Sequence, residues 1–292
     1  MRMQLVRAVA AFGCLSMAVW AQCANDHREE KKDGILVTDF TITGTQTISE
    51  TELAEMTSEF VGNCYNDDSE ELGERVRMSF QDRGYFAVEV KSVRLKASDP
   101  LGHPKPVTME AEVTEGPKYK VGVVTFVDNR AFPPERLRSE FPMKSGDIFE
   151  RDKVVSGLDS LRKLYGKNGY LDFFAIPEAL PSSNGTIDLK LSVQEGPQYR
   201  LEKIEFVGKK EMTARLEVKW NMAEGSVYDW SYLDRYIDEN RDFLPKGFER
   251  KDVEVATDCP KALVDVRFVV DASEAASPLK SVPCEESKEK AK

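Results

Sequence analysis

His27 and His103 are the only imidazoles in the 292 residues, so any Ser-His-Asp relay or histidine-bearing metal centre has to use one of them. His27 stands in the charged stretch NDHREEKKDG and His103 adjoins Pro104; neither sits next to a nucleophile or a second ligand. Cys23, Cys64, Cys259 and Cys284 are widely spaced and form no C-x-x-C pair, which argues against a zinc site or a redox couple. Free or intermolecular thiols and a structural bridge both remain open for them. Glu115 and Glu195 look like a carboxylate pair, but they are the same position in two copies of one pattern. No Gly-rich phosphate cradle is present. The expectation is a protein with no catalytic, cofactor-binding or metal site. What remains is backbone chemistry: a strand at a sheet edge offers unpaired N–H and C=O groups at regular spacing, to which an extended chain can add itself.

That chemistry depends on where strands lie, and the ends of the chain are set apart first. MRMQLVR leads into the apolar run AVAAFGCLSMAVWA, which has the plan of a secretory signal peptide cleaved after Ala21, giving residues 1–21 as signal and 22–33 as a polar leader. An uncleaved anchor is the alternative, since the apolar run approaches the shortest membrane span. Loss of Arg2 and Arg7 takes the formal charge from −10 to −12, a poor balance for nucleic acid or anionic lipid. No later stretch is apolar for long enough to span a bilayer.

Between the ends the chain repeats itself. TEGPKYKVGVVTFVD (114–128) aligns without a gap on QEGPQYRLEKIEFVG (194–208), every position shifted by 80. Three units follow: 34–117, 118–197 and 198–272. Each opens on a strand ending at Gly44, Asp128-Asn129 or Gly208, where positive φ is wanted. Two helices come next. Ser49 with Glu52 marks the start of the first, and Asn66 and Asp229 are suited to cap later ones. Val154, Leu158, Leu161 and Tyr165 line one helical face. Its last turn carries Phe80, Tyr165 or Phe243, four residues before Gly84, Gly169 or Gly247, a C-terminal glycine followed by Tyr85, Tyr170 or Phe248. Two strands close each unit, the last with strict alternation, as in Ile187, Leu189, Leu191 and Val193. Asn184-Gly185 signals a hairpin between them, and Pro177 suits an edge strand.

The strand-helix-helix-strand-strand order, the aromatic-x-x-x-Gly-Tyr junctions and the Glu-Gly-Pro-x-Tyr joints at Gly116-Pro117 and Gly196-Pro197 resemble the POTRA domain of the outer-membrane protein insertase family. The resemblance covers 34–272. It implies an α+β fold of three tandem β-α-α-β-β domains, each a three-stranded mixed sheet with two helices on one face. The third copy departs from the pattern, with Phe248 for Tyr and VVDAS for Glu-Gly-Pro. A membrane barrel normally follows such domains; here residues 273–292 are polar and expected to be disordered, so the chain looks like the periplasmic half of such a machine.

The Gly84-Tyr85, Gly169-Tyr170 and Gly247-Phe248 junctions and both Gly-Pro joints are structural on this view. The resemblance implies docking along the penultimate strand: Phe86, Val88 and Val90 in the first unit, Leu171 and Phe173 in the second, Val253 and Val255 in the third. The first unit is favoured, because Pro177 and ERKDVE spoil the other two edges. The expected protein is periplasmic, peripheral to the outer membrane and non-enzymatic. It is a scaffold or chaperone in outer-membrane protein assembly or polypeptide translocation, whose partners are an outer-membrane β-barrel protein or nascent secreted and outer-membrane polypeptides, with no nucleic acid, cofactor or small-molecule substrate. The alternative is a membrane-anchored scaffold of the cell envelope, similar to cell-division proteins bearing one POTRA domain.

Overall fold

The alternating apolar residues of the expected closing strands become the central strands of three mixed sheets. The computed structural model describes residues 6–9 (backbone only), 34–99, 104–271, 273 and 277–284. His27, His103, the expected leader 22–33, the expected signal peptide apart from 6–9, and the tail past Cys284 lie outside the described residues. In chain order the strands are β1 (Val6–Val9), β2 (Ile35–Thr43), β3 (Cys64–Tyr65), β4 (Glu89–Ala97), β5 (Lys105–Thr114), β6 (Lys120–Val127), β7 (Phe174–Pro181), β8 (Thr186–Gln194), β9 (Arg200–Val207), β10 (Val253–Asp258) and β11 (Leu263–Val269). The helices are α1 (Glu50–Ser58), α2 (Ser69–Gln81), α3 (Pro134–Arg138), α4 (Arg151–Lys167), α5 (Lys210–Lys219) and α6 (Ser231–Glu239).

In the first sheet β5 lies between β2, parallel to it, and β4, antiparallel. In the third, β11 lies between β9, parallel, and β10, antiparallel; the second runs β6-β8-β7. The penultimate strand of every copy is therefore a sheet edge. The first sheet is wider than the three strands expected, because β3 and β1 pair antiparallel with successive parts of the outer side of β2.

Alternation sets which face is covered. Val107, Met109, Ala111 and Val113 of β5 are buried together with Leu53 and Met56 of α1 and Leu72, Val76 and Phe80 of α2. Val264, Val266 and Phe268 of β11 are buried with Leu216 of α5 and Leu233, Tyr236 and Ile237 of α6. In the middle copy Ile187, Leu189, Leu191 and Val193 are buried, as are Leu137, Leu161 and Tyr165 of its helices. Each such side chain contributes about 1.5–3 kcal/mol by leaving water. The chain divides by proximity into two compact bodies, one of Met1–Val123, Met143–Val155 and Ala179–Leu189, the other of Val124–Pro142, Ser156–Glu178 and Lys190–Lys292.

The repeated junction is a helix-ending motif. At Gly84 (φ +90°) the Tyr85 N–H donates to Phe80 O at 3.1 Å and the Gly84 N–H to Gln81 O at 3.1 Å. At Gly169 (φ +84°) Tyr170 donates to Tyr165 O at 3.0 Å and Gly169 to Gly166 O at 3.3 Å. This paired pattern brings the residue after the glycine against the one four before it. Phe80 and Tyr85 accordingly meet edge-on at 6.1 Å, and Tyr165 and Tyr170 at 5.6 Å. The third copy differs. α6 stops at Glu239 and Phe243 falls in a separate 3-10 turn, Arg241–Phe243. Pro245 disfavours helical backbone at Leu244, whose ψ is 154°. The start of α2 also differs from the expectation: Asp68, not Asn66, caps it and forms a reciprocal box with Glu71.

Candidate strand-docking site

Backbone geometry fixes how each edge strand is held. Glu115 is only 5% exposed and accepts from the Gln46 and Thr47 amides (2.9 and 2.7 Å) and the Thr47 hydroxyl (2.6 Å). Glu195 does the same in the second copy, accepting from the Arg130 and Ala131 amides (2.8 and 2.9 Å) and the Tyr165 hydroxyl (2.9 Å). Burial first, and this carboxylate second, push the Tyr165 phenol well above its ordinary value. These carboxylates tie the end of the last strand to the loop leaving the opening strand, a structural task. At the joints, Gly116 and Gly196 both have φ +69°. A Cβ at Gly116 would lie 3.3 Å from Ala87 O, and one at Gly196 2.9 Å from Asp172 Cβ. The next tyrosine then donates its amide back to the junction glycine: Tyr119 to Gly84 O at 3.0 Å, Tyr199 to Gly169 O at 2.8 Å.

One recurring contact escaped the sequence reasoning. Gly62, Gly146 and Gly225, all at positive φ, donate to Val37 O, Val121 O and Leu201 O of the opening strands at 2.8, 2.8 and 2.7 Å. They precede the junction glycines by 22, 23 and 22 residues, a spacing that marks them.

The three penultimate strands differ in what borders their outer edges. Beside β4 runs a groove of about 530 Å3 floored by Val90 and Val93 and walled by Glu70, Gly73 and Arg77 of α2. Glycine at 73 keeps it open: a Cβ there would sit 3.6 Å from Val93 Cγ2, so anything larger than alanine projects into the space. Exposed side chains on β4 include Glu89, Lys91, Arg94 and Lys96, charges that guard a bare edge against self-association. The β7 edge instead exposes Phe174 (44%) and Ile176 (54%), with Pro177 removing one donor.

The β10 edge is occupied by the chain itself. Residues 277–284, expected to be structureless, run parallel to β10. Val282 donates to Thr257 O at 2.7 Å and accepts from the Cys259 amide at 3.0 Å, and Ser281 Oγ accepts from the Thr257 amide at 3.1 Å. Leu279 donates to Glu254 at 3.1 Å, and a Cys259–Cys284 disulfide closes the segment. That bridge resolves the open question about these cysteines; Cys64 is also disulfide-bonded. Asp172 Oδ2 lies 4.0 and 3.9 Å from the two sulfurs, but sulfurs bonded to each other are no thiolate ligands, and Asp172 accepts from the Tyr199 hydroxyl at 2.6 Å.

Of the residues expected along the edges, Val90 lies on β4, and Val253 and Val255 on β10. Phe86 and Val88 fall in the turn before β4: Phe86 meets Phe149 edge-on at 5.4 Å, and Val88 is 6% exposed but reaches the groove wall. Leu171 and Phe173 precede β7, and Phe173 stacks on Tyr165 at 4.0 Å. The cause is common to both copies: the helix-ending motif needs one further turn, in which Val88 donates to Tyr85 O and Phe173 to Tyr170 O, before the chain extends.

Residues 119–196 match the POTRA family, described as a surface antigen variable number repeat. A putative outer membrane protein assembly factor of Treponema pallidum (strain Nichols) is 29% identical over 142 residues, 46% of this chain and 16% of the relative. The outer membrane protein assembly factor BamA of Neorickettsia risticii (strain Illinois) is 24% identical over 173 residues, 58% of this chain and 22% of the relative. The chain thus spans under a quarter of the length of these relatives. Among solved structures, POTRA3-5 of Haemophilus influenzae BamA superposes with a TM-score of 0.57 at 17% identity, covering 80% of this chain and 94% of that one, which establishes the fold. No helix among the described residues is long and apolar enough to cross a membrane. Residues 119–196 thus match a POTRA domain, and the three mixed sheets with paired helices share the fold of tandem POTRA domains, similar to those of BamA-type outer-membrane assembly factors.

Proposed function

We propose that this protein is a non-enzymatic periplasmic scaffold, organised as three tandem domains, that captures extended polypeptides by strand addition during outer-membrane protein assembly or polypeptide translocation. The observation that carries the proposal is the β4 edge. Among the described residues it has one hydrogen-bonded neighbour, β5, and beside it lies an apolar-floored groove into which an extended chain would project side chains. An incoming strand would satisfy the outward amides and carbonyls of β4 and place alternate side chains over Val90 and Val93, while Glu70, Arg77 and Lys91 at the rim bind its polar side chains. Affinity then comes from the main chain and discrimination among clients is broad, as suits a scaffold serving many sequences. Its expected partners are a β-barrel protein and nascent outer-membrane polypeptides, consistent with what the named relatives assemble.

The test uses the full chain with a photo-crosslinking residue at Lys91 and, as control, at Val218, which is 87% exposed on a helix, α5, rather than on a strand. An unfolded outer-membrane protein should crosslink at 91 and not at 218. Gly73→Ala, whose methyl has room, should leave this capture intact, and Gly73→Phe should abolish it by filling the groove. Equal crosslinking at both positions, or capture indifferent to Gly73→Phe, overturns the proposal.

A further inference from the structure

We propose that the segment Ser277–Cys284 is a built-in plug of a second docking edge, held on β10 by the Cys259–Cys284 disulfide and released by a dithiol reductant. The inference rests on the strand-docking reading and goes beyond it, assigning the third sheet a site that is closed in the oxidised protein. β10 occupies in its sheet the place that β4 occupies in the first. At the C-terminal end of β10 the groups that a docked strand would engage are engaged already: the Thr257 carbonyl and the amide of Cys259, just past the strand, by Val282, and the Thr257 amide by Ser281 Oγ. The plug mimics a client in register as well as in bonding, pairing Val282 with Asp258 in parallel.

Side-chain packing does not explain why the plug stays. Ser281, Val282 and Cys284 are exposed, Val282 by 46%. Its other anchors are the Leu279 amide on Glu254 and the Ser277 carbonyl, which accepts from Arg267 at 3.0 Å. Four residues and a handful of solvent-facing hydrogen bonds hold weakly on their own, each contributing little against competing water. The covalent bond converts this weak contact into an intramolecular one of high effective concentration. On reduction the S–S bond breaks. The dithiol supplies two electrons and two protons and becomes its own disulfide, and Cys259 and Cys284 become thiols. The freed β10 edge then accepts an extended, β-prone polypeptide segment through the same amides and carbonyl.

The experiment follows backbone amide hydrogen exchange in the full chain, with Cys284→Ser to open this bridge alone and leave the one at Cys64 intact. In the oxidised wild type the Cys259 and Val282 amides are protected. In Cys284→Ser their exchange rises at least tenfold while the β11 amides stay protected. Val282→Pro, which keeps the disulfide but deletes the Val282 donor, raises exchange at Cys259 by a smaller factor. A decapeptide of alternating valine and threonine with lysine ends is then added. It should restore protection at Cys259 in Cys284→Ser and have no effect there in the oxidised wild type. Unchanged exchange in Cys284→Ser overturns the plug. Exposure without peptide protection at β10, with capture at Lys91 retained, overturns the second docking edge alone; loss of capture at both edges overturns strand docking itself.

Discussion

Replacing Gly169 by alanine, and separately Gly247, isolates what the helix-ending glycine contributes in two copies of one motif. Both have positive φ, +84° and +83°. A side chain there costs about 1–2 kcal/mol from backbone sterics alone. Their surroundings differ: a Cβ at 247 meets nothing within 4 Å, whereas one at 169 would lie 2.8 Å from Tyr199 O and 3.0 Å from Val227 Cγ1. The obstructing carbonyl belongs to a backbone already fixed, since Tyr199 O accepts from Tyr228 at 3.0 Å and the Tyr199 amide donates to Gly169 O. It cannot swing aside as a flexible side chain would, and overpacking of this kind adds about 1–3 kcal/mol. Gly169→Ala should therefore cost about 2–5 kcal/mol and Gly247→Ala about 1–2 kcal/mol. Urea unfolding monitored by tryptophan fluorescence suits the comparison, because Trp230 packs within 3.5–3.8 Å of the Cβ position of Gly166. Equal losses for the two variants, or a larger one at 247, would refute the argument that close backbone approach, beyond positive φ, fixes glycine at 169.

Further outcomes follow from the same geometry. Glu195→Ala strands two amides and the Tyr165 hydroxyl, and should cost about 2–4 kcal/mol in urea unfolding, with Glu195→Gln recovering part of it. Tyr165 has a folded-state pKa above the ordinary 10.0, so its contribution is fully present below pH 10 and is lost as pH rises through the folded value; Tyr165→Phe should flatten the corresponding part of the alkaline stability curve. Glu205 moves the other way, held below the ordinary 4.5 by hydrogen bonds from Lys203 and Arg267. Its contribution is present above pH 4.5 and fades on acidification, which Glu205→Gln should remove from the acid limb. Breaking the Cys259–Cys284 link, whose cysteines are 25 positions apart, should lower equilibrium stability by about 3 kcal/mol through the freer unfolded chain, read as a shift of the urea midpoint in Cys259→Ala/Cys284→Ala.

The sequence made the architecture legible because its signals are local and repeated. Strict alternation in 107–113, 187–193 and 264–270 places the central strands. The aromatic-glycine-tyrosine spacing encodes both hydrogen bonds of the helix terminus. The edge position of each penultimate strand follows from that order of elements. Where reading failed, the determinant was non-local or one turn out of step. Phe86, Val88, Leu171 and Phe173 alternate like strand residues, yet the turn completing the junction takes Val88 and Phe173 into the core and leaves Phe86 and Leu171 half-buried. Phe243 keeps the aromatic spacing, but α6 already ends at Glu239 and Pro245 holds Leu244 extended, so the junction glycine follows no α-helical turn. No pattern in EAASPLKSVPCEESKEK announces that Val282 pairs with Asp258, because a parallel bridge formed by one residue leaves no periodicity. The groove beside β4 depends on a single glycine in a helix, a residue type that reads from sequence only as a weak point in α2.

The tyrosine amides that return to Gly84 and Gly169 bear on how such arrays can be cut and recombined. A fragment ended at Pro117 would lose the Tyr119 donor and, with residues 148–151, the ring that covers Phe86 and the Arg151 guanidinium 3.5 Å from Asp82. Copies excised at the apparent sequence boundary would be born with an open wound, so swapping one for another demands that the first thirty-odd residues of the successor travel with the predecessor.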